Sequence, residues 1–427
     1  TLHVPALRLI IPRMSPTFAY HELPNGLRVV CQTLPQVHSA AIGFYVRTGA
    51  RHEQPDLHGV SHFLEHMCFK GTATRSSRDI NVCFDELGSI YNAFTGKEHT
   101  VYYGWVPAAH LTRQLELLAD MMHPALPPDD FETERKVILE EIAMSDDSFD
   151  RHLWDFLHRR VFGQHPLGHE ILGEKETIQS LPREAMAGYH QARYSPQNVV
   201  VLAAGAIDPQ ELFAGVGRFC GDWPRHPDNQ LPNEPLPPFQ PGTAKLHLPR
   251  FKQQALVRLY PSVPHGHPAG ESIEAFVSLF GGSNSRCYWN IVQQGICTGA
   301  GAAWVSYDDC GLLALYAEGE PERCEEMLEA LDEQTRAVAE GGFTPEEVQR
   351  VKNRRRTQLA LEAENPRTRL MQMLDDFEAT GYVRTVEARL AAVEAVSAKT
   401  IADYLKRYPI TGDGLLLSCG PRDWPPT

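Results

Sequence analysis

Short stretches of this chain alternate apolar and polar residues, and longer ones repeat apolar residues at helical spacing. Residues 38–50 (HSAAIGFYVRTGA) and 253–264 (QQALVRLYPSVP) alternate as half-buried strands do. Each is followed by a turn and then by a helical pattern, at 58–70 and 270–280. Further strands are predicted at 99–107 (HTVYYGWVP) and 311–319 (GLLALYAEG). Long helical segments come next, 109–123 and 129–145 in the first part, 321–340 and 344–364 in the second. The same order of elements thus runs through the sequence twice. Strands with antiparallel-compatible turns and segregated helices predict an α+β fold of two similar halves. Each half is expected to be a mostly antiparallel sheet covered by helices, the two related by duplication.

Between the repeats, residues 225–245 read RHPDNQLPNEPLPPFQPGTAK. Proline fixes φ and removes a donor, so this stretch predicts a linker rather than a helix or strand. The division is an N-terminal domain at 1–224, which carries the chemistry described below, and a C-terminal domain at 246–427.

Composition narrows the class. Of 427 residues, 42% are hydrophobic and 22% charged, which excludes a disordered chain. The apolar runs fall short of the roughly 20 residues a membrane helix needs, so no membrane span is expected. A formal net charge of -14 without a long Lys/Arg run argues against nucleic acid or an anionic membrane as partner. The basic stretch QRVKNRRR at 349–356 reads as one solvated or interfacial helix face. Nine scattered cysteines with no C-x-x-C pair read as buried small hydrophobes in a reducing compartment. No basic region followed by an apolar one opens the sequence. A cytoplasmic protein is expected, with periplasm or mitochondrial matrix as alternatives.

The densest chemistry lies in GVSHFLEHMCFKGTATR, residues 59–75. His62 and His66 are one helical turn apart and project to the same side, as a pair of metal ligands must. Val60, Phe63, Leu64 and Met67 form the opposite, core-facing stripe, so the imidazoles and Glu65 face outward together. Two neutral imidazoles suit zinc, and Glu65 sits beside them as a base for a water. The bland alternative is a polar helix face in which these residues merely coincide. A third ligand is sought on DDFETERKVILEEIAMSDD (129–147), a helix by composition with Asp129 or Asp130 as expected N-cap. Glu134 and Glu141, two turns apart, project from nearly one face, while Glu140 points to solvent. His99 reads as a strand-surface residue and Cys68 as a packed thiol. His165, His169, His265 and His267 are assigned no metal role.

Together these segments resemble the pitrilysin/insulinase family of zinc metallopeptidases, whose H-x-x-E-H order inverts the more common H-E-x-x-H. The likeness extends to ERKVILEEI (134–142), LGSIYNAFTGKEHTVYYG (87–104), HPLGHEILGEKETI (165–178), YSPQNVVVLAAGAI (194–207) and VSYDDCGLLALYAEGEPER (305–323). It is strongest for the small two-domain processing peptidases. The resemblance implies Zn2+ held by His62, His66 and Glu141, with Glu65 as general base and acid and Glu134 supporting the ligands from behind. It implies that substrate lies as an added strand along Asn92 and Ala93, and that Arg286 in GGSNSRCYWNIVQQGICTGAG (281–301) helps to hold it. Thr298 stands where many members carry a tyrosine. Members of this length pair so that four halves enclose a chamber, which implies peptides or unfolded segments as substrates. The expected assembly is a homodimer or a heterodimer with a related subunit. The expected activity is that of a zinc-dependent metalloendopeptidase; the alternative is a non-catalytic or partner-dependent subunit of a peptidase complex. Acidic residues near Glu141 lead to an expected preference for basic peptides.

Overall fold

The computed structural model describes residues 17–226 and 234–426. The first half contains β1 (Thr17–Glu22), β2 (Arg28–Thr33) and β3 (Ser39–Val46), then α1 (Val60–Met67) and α2 (Ser77–Leu87). It continues with β4 (Ile90–Thr95), β5 (Thr100–Pro107), α3 (Leu111–Met121), α4 (Pro128–Ser145) and α5 (Phe149–Phe162). It closes with α6 (Lys175–Ser180), α7 (Arg183–Arg193), β6 (Val199–Gly205) and α8 (Pro209–Cys220). The second half runs β7 (Gly242–His247), β8 (Gln254–Ser262), α9 (Gly270–Gly281), β9 (Gly299–Ser306), β10 (Gly311–Gly319) and α10 (Cys324–Gly341). Then come α11 (Pro345–Glu364), α12 (Pro366–Thr380), α13 (Val386–Ala395), α14 (Ala398–Arg407) and β11 (Leu415–Gly420).

The duplication is visible in the strand order. The first sheet is ordered β1-β2-β6-β3-β5-β4 and the second β7-β11-β8-β10-β9. Omitting β1 and replacing β2 to β6 by β7 to β11 in sequence order converts one into the other. The parallel pairs also correspond: β2 with β6, and β7 with β11. All other pairs are antiparallel. The fold is therefore α+β, as the sequence pattern predicts.

Each sheet buries one face under helices of its own half. Ile42, Phe44, Val201 and Ala203 pack with Phe63, Leu64, Phe84 and Leu118 in the first, and Leu313 and Leu315 pack with Phe276, Phe280 and Leu331 in the second. The opposite faces are covered by exchange. Leu370, Met373, Leu374 and Phe377 of α12 lie on Tyr45, Val101, Val200 and Leu202 of the first sheet. Phe149, Leu153 and Leu157 of α5 lie on Val257, Leu259, Ala314 and Leu417 of the second. Each half thus lends one helix to the other's sheet. The seam is also polar. Arg47 pairs with Asp308 at 2.8 Å, and Arg51 pairs with Asp309 and Glu98 at 2.5 Å each. His99 bonds Glu378 of α12 at 2.5 Å. His99 is therefore a half-buried tie between halves, not a strand-surface residue, because the β4–β5 turn meets α12 there.

Other expectations shift slightly. The first turn of α4 begins at Pro128 with Pro127 as N-cap, so Asp129 and Asp130 lie inside the helix start. Proline at the first helical position is pre-organised for the turn, and the two acids then face the positive end of the helix. Of the segment read as a linker, 227–233 lie outside the described residues, and β7 opens at Gly242. Among the described residues no helix is long and apolar enough to cross a membrane.

Candidate metal centre

α1 starts under unusual constraint. Gly59 holds φ at 91°, and a Cβ there would meet Ile178 Cδ1 and Leu172 O at 2.6 Å, so only glycine fits. The first helical N–H groups find no local cap. Glu53, deeply buried, accepts from Gly59 N at 2.7 Å and Ser61 N at 2.8 Å. Burial pushes its carboxyl up to about 7 despite those two bonds. Val60, Phe63, Leu64 and Met67 are fully buried, as the apolar stripe requires. Phe63 stacks on Phe131 of α4 with ring centroids 4.7 Å apart. That contact sets the register of α1 against α4 and turns the polar faces of both helices toward each other.

Three donors meet where the faces converge. His62 Nε2 is 3.9 Å and His66 Nε2 3.8 Å from Glu141 Oε2. One ligand atom from each of the three lies within 4.8 Å of the others, and among the described residues no other such trio of His, Cys, Asp or Glu occurs. His66 Nδ1 is 2.8 Å from Glu134 Oε1. A carboxylate only accepts, so Nδ1 carries the proton and Nε2 presents its lone pair to the centre. Lys70 Nζ holds the other Glu134 oxygen at 2.6 Å.

Electrostatics follows this geometry. Burial, and then the neighbouring His66, lower His62 to about 3, so the ring is a neutral donor. Its Nδ1 is buried without a hydrogen-bond partner among the described residues. Burial opposes the charged form of His66, but the bond to Glu134 and the nearby carboxylates outweigh it and raise the pKa. Burial likewise opposes ionised Glu134, and the bonds from His66 and Lys70 overcome it. Glu65 is raised by burial, against a hydrogen bond from Thr95 Oγ1 at 2.5 Å. Two imidazole nitrogens and a carboxylate oxygen around one point are a donor set that suits a divalent ion of borderline softness.

Among the described residues the flanking strand β4 is a free edge of its sheet. Asn92 and Ala93 pair with Tyr103 and Tyr102 of β5 on one side only. On the open side the Ala93 N–H is taken by Asn92 Oδ1 at 2.9 Å.

The profile described as Insulinase (Peptidase family M16) matches residues 28–175, and that of the Peptidase M16 inactive domain matches 180–355. The chain belongs to the insulinase family, peptidase family M16. It is 31% identical over 401 residues to the uncharacterized zinc protease YmxG of Bacillus subtilis, covering 93% of this chain and 97% of that one. It is 33% identical over 390 residues to the uncharacterized zinc protease Rv2782c of Mycobacterium tuberculosis, covering 89% and 88%. In fold it matches a protease from Helicobacter pylori with a TM-score of 0.89 at 21% identity over 95% and 100% of the two chains. A peptidase M16 inactive domain from Pseudomonas fluorescens gives 0.85 at 16% identity over 95% and 98%.

In this insulinase-family chain the structure gathers His62, Glu65, His66, Glu134 and Glu141 from two helices, with Asn92 and Ala93 on the strand beside them. It does not gather Arg286. That guanidinium is bound by Glu347 of α11 at 3.0 Å and by Gly342 O at 3.1 Å, and it lies over Phe343. Thr298 Oγ1 is spent on Glu318 O at 2.9 Å. Sequence reading missed Glu53, Lys70, Phe131 and Thr95. Lys70 had a signal, one turn beyond His66 on the same face; Glu53 meets the start of α1 through the loop just before it, and Phe131 and Thr95 only through the tertiary fold.

Proposed function

We propose that this chain is a zinc-dependent metalloendopeptidase acting on peptides or unfolded segments. The observation that carries the reading is the convergence of His62, His66 and Glu141 with Glu65 alongside. A zinc ion held there supplies Lewis-acid polarisation of a carbonyl and lowers the pKa of a water. The protein's own residues do the rest. His62 and His66 offer Nε2, and Glu141 offers a carboxylate oxygen. Glu134 and Lys70 fix the tautomer and orientation of His66. Glu65 takes the proton of the attacking water and passes it to the leaving amine, with Thr95 fixing the carboxylate's direction. An extended peptide adds to β4 through main-chain bonds, and Asn92 Oδ1 must release the Ala93 N–H as it does so. Arg286 joins substrate only if it exchanges Glu347 for it.

Copies paired with one another, or with a related subunit, would enclose the cleft and admit only unfolded polypeptide. One observation favours a partner-dependent variant of this reading: the Thr298 hydroxyl is short and engaged, so a reach to the cleft must come from elsewhere. The test is a Glu65→Gln variant assayed for bound zinc and for cleavage of a quenched fluorescent peptide library. Retained zinc with cleavage reduced about 10²–10⁴-fold supports the assignment; cleavage at the unaltered rate sinks it.

A further inference from the structure

The duplication pairs each position of the metal cleft with one in the second half. α1 and α9 follow the equivalent strands β3 and β8. α1 buries Val60, Phe63, Leu64 and Met67; α9 buries Ser272, Ala275, Phe276 and Leu279 at the same spacing. This register sets Glu274, Val277 and Ser278 where His62, Glu65 and His66 stand. α4 and α11 both begin on a proline, and the buried Phe131 and Glu134 correspond to the buried Val348 and Val351. Gln358 then takes the place of Glu141, and Arg355 that of Ile138.

These matched residues share one cavity. Glu274, Val277, Ser278, Val351, Arg355 and Gln358 all line a cleft of about 450 Å³. The second half thus has a cleft at the matched place, lined by different side chains. The ligand positions now hold the Glu274 carboxylate, the Ser278 hydroxyl and the Gln358 amide, and Val277 stands in place of the base: with no imidazole, this is no zinc set. One wall carries positive charge, with Lys352 and Arg354 beside Arg355. Lys352 is held by Glu394 at 3.3 Å, and Arg354 reaches Ser278 Oγ at 3.2 Å. Across the cleft, Glu271 is paired with Arg384 at 3.3 Å. Arg355 differs from its neighbours. Its Nε is buried and has no hydrogen-bond partner among the described residues. Glu274 lines the same space and feels the charge of Arg355, but among the described residues no ion pair joins the two. A buried guanidinium N–H without an acceptor is unfavourable, and its planar fork matches a carboxylate better than any other common group.

We propose that this second cleft is a metal-free binding site for a peptide carboxylate, either a free C-terminus or an Asp/Glu side group, with Arg355 as the residue that receives it. β9 supports the same ligand. It is the free edge of its sheet as β4 is of the first, and its Ala302 lines the cavity, so an extended segment can lie along it. The two clefts then differ in charge: carboxylates crowd the first, while the second sets Lys352, Arg354 and Arg355 against Glu271 and Glu274. The inference does not depend on the peptidase reading, because binding is measured with the metal removed.

The experiment is fluorescence anisotropy of the full-length protein in chelator, with labelled ten-residue peptides as probes. One peptide is neutral with a free C-terminus, one is the same peptide amidated, and one is amidated with an internal Glu pair. Binding of a carboxylate-bearing probe that weakens about 10-fold or more in Arg355→Gln, and is unchanged in His62→Ala, is expected. The amidated pair then tells a terminal carboxylate from a side-group one. Arg355→Lys, with the melting profile of each variant, separates lost recognition from lost folding, and partial binding is expected for it. Equal affinity of the unaltered protein and Arg355→Gln overturns the proposal, as does binding lost in His62→Ala alone or no carboxylate probe bound at all.

Discussion

Glu53 places a carboxylate in the interior, where it holds the first N–H groups of α1 and Lys97 is the cation that acts on it. Its folded-state value near 7 lies above the ordinary 4.5, so the folded protein binds a proton that the unfolded one has released. That contribution to stability is complete below about pH 4.5 and is lost as pH rises through about 7. Glu53→Gln is expected to flatten the fall in unfolding free energy between about pH 4.5 and 7 by up to ~1.4 kcal/mol per pH unit, read from denaturant titrations. An unchanged slope would count against it. Thr95 makes a different case. Thr95→Val removes the hydroxyl that aims Glu65, and kcat is expected to fall roughly 10-fold with zinc content intact, the scale of one charge-assisted hydrogen bond. Loss of zinc instead would mean that Thr95 shapes the ligands. At this scale the sequence was informative wherever chemistry rides on helical spacing, as with His62, Glu65 and His66. It was silent on Thr95 and Glu53, whose partners are reached across sheet and loop.

The pairing of α1 with α4 decides whether the three donors meet. Phe63 and Phe131 are both essentially inaccessible, at 0% and 1% exposure, and their stack is the contact that fixes the register. Phe131→Ala is expected to destabilise the fold by about 3–5 kcal/mol and to weaken zinc retention in parallel. A stable variant with undiminished zinc would show that the register is set elsewhere. These two helices were legible because each shows one apolar stripe and one functional face. The exchange of α5 and α12 was not. A local apolar stripe states that a helix is covered, but not which sheet covers it, and both helices cross to the opposite half.

That exchange governs the molecule as a whole. Duplication and fold class were readable from the repeated order of elements, yet that pattern suggests two self-sufficient halves. Residues 17–224 alone would expose Phe149, Leu153 and Leu157 and leave Val200 and Leu202 uncovered. They are expected to bind a hydrophobic dye and to unfold without a cooperative transition, and the full-length protein is expected to do neither. Cooperative unfolding of the isolated half would contradict the structural role given to α12. The central claim is more direct, and one measurement reaches it: metal content and peptide cleavage determined on the same purified sample, before and after chelation. The account predicts about one zinc per molecule, as a site with three protein ligands and one open position holds, and cleavage lost with that zinc and regained on its return. A protein that binds no zinc, or that cleaves equally well without it, would contradict the assignment of His62, His66 and Glu141.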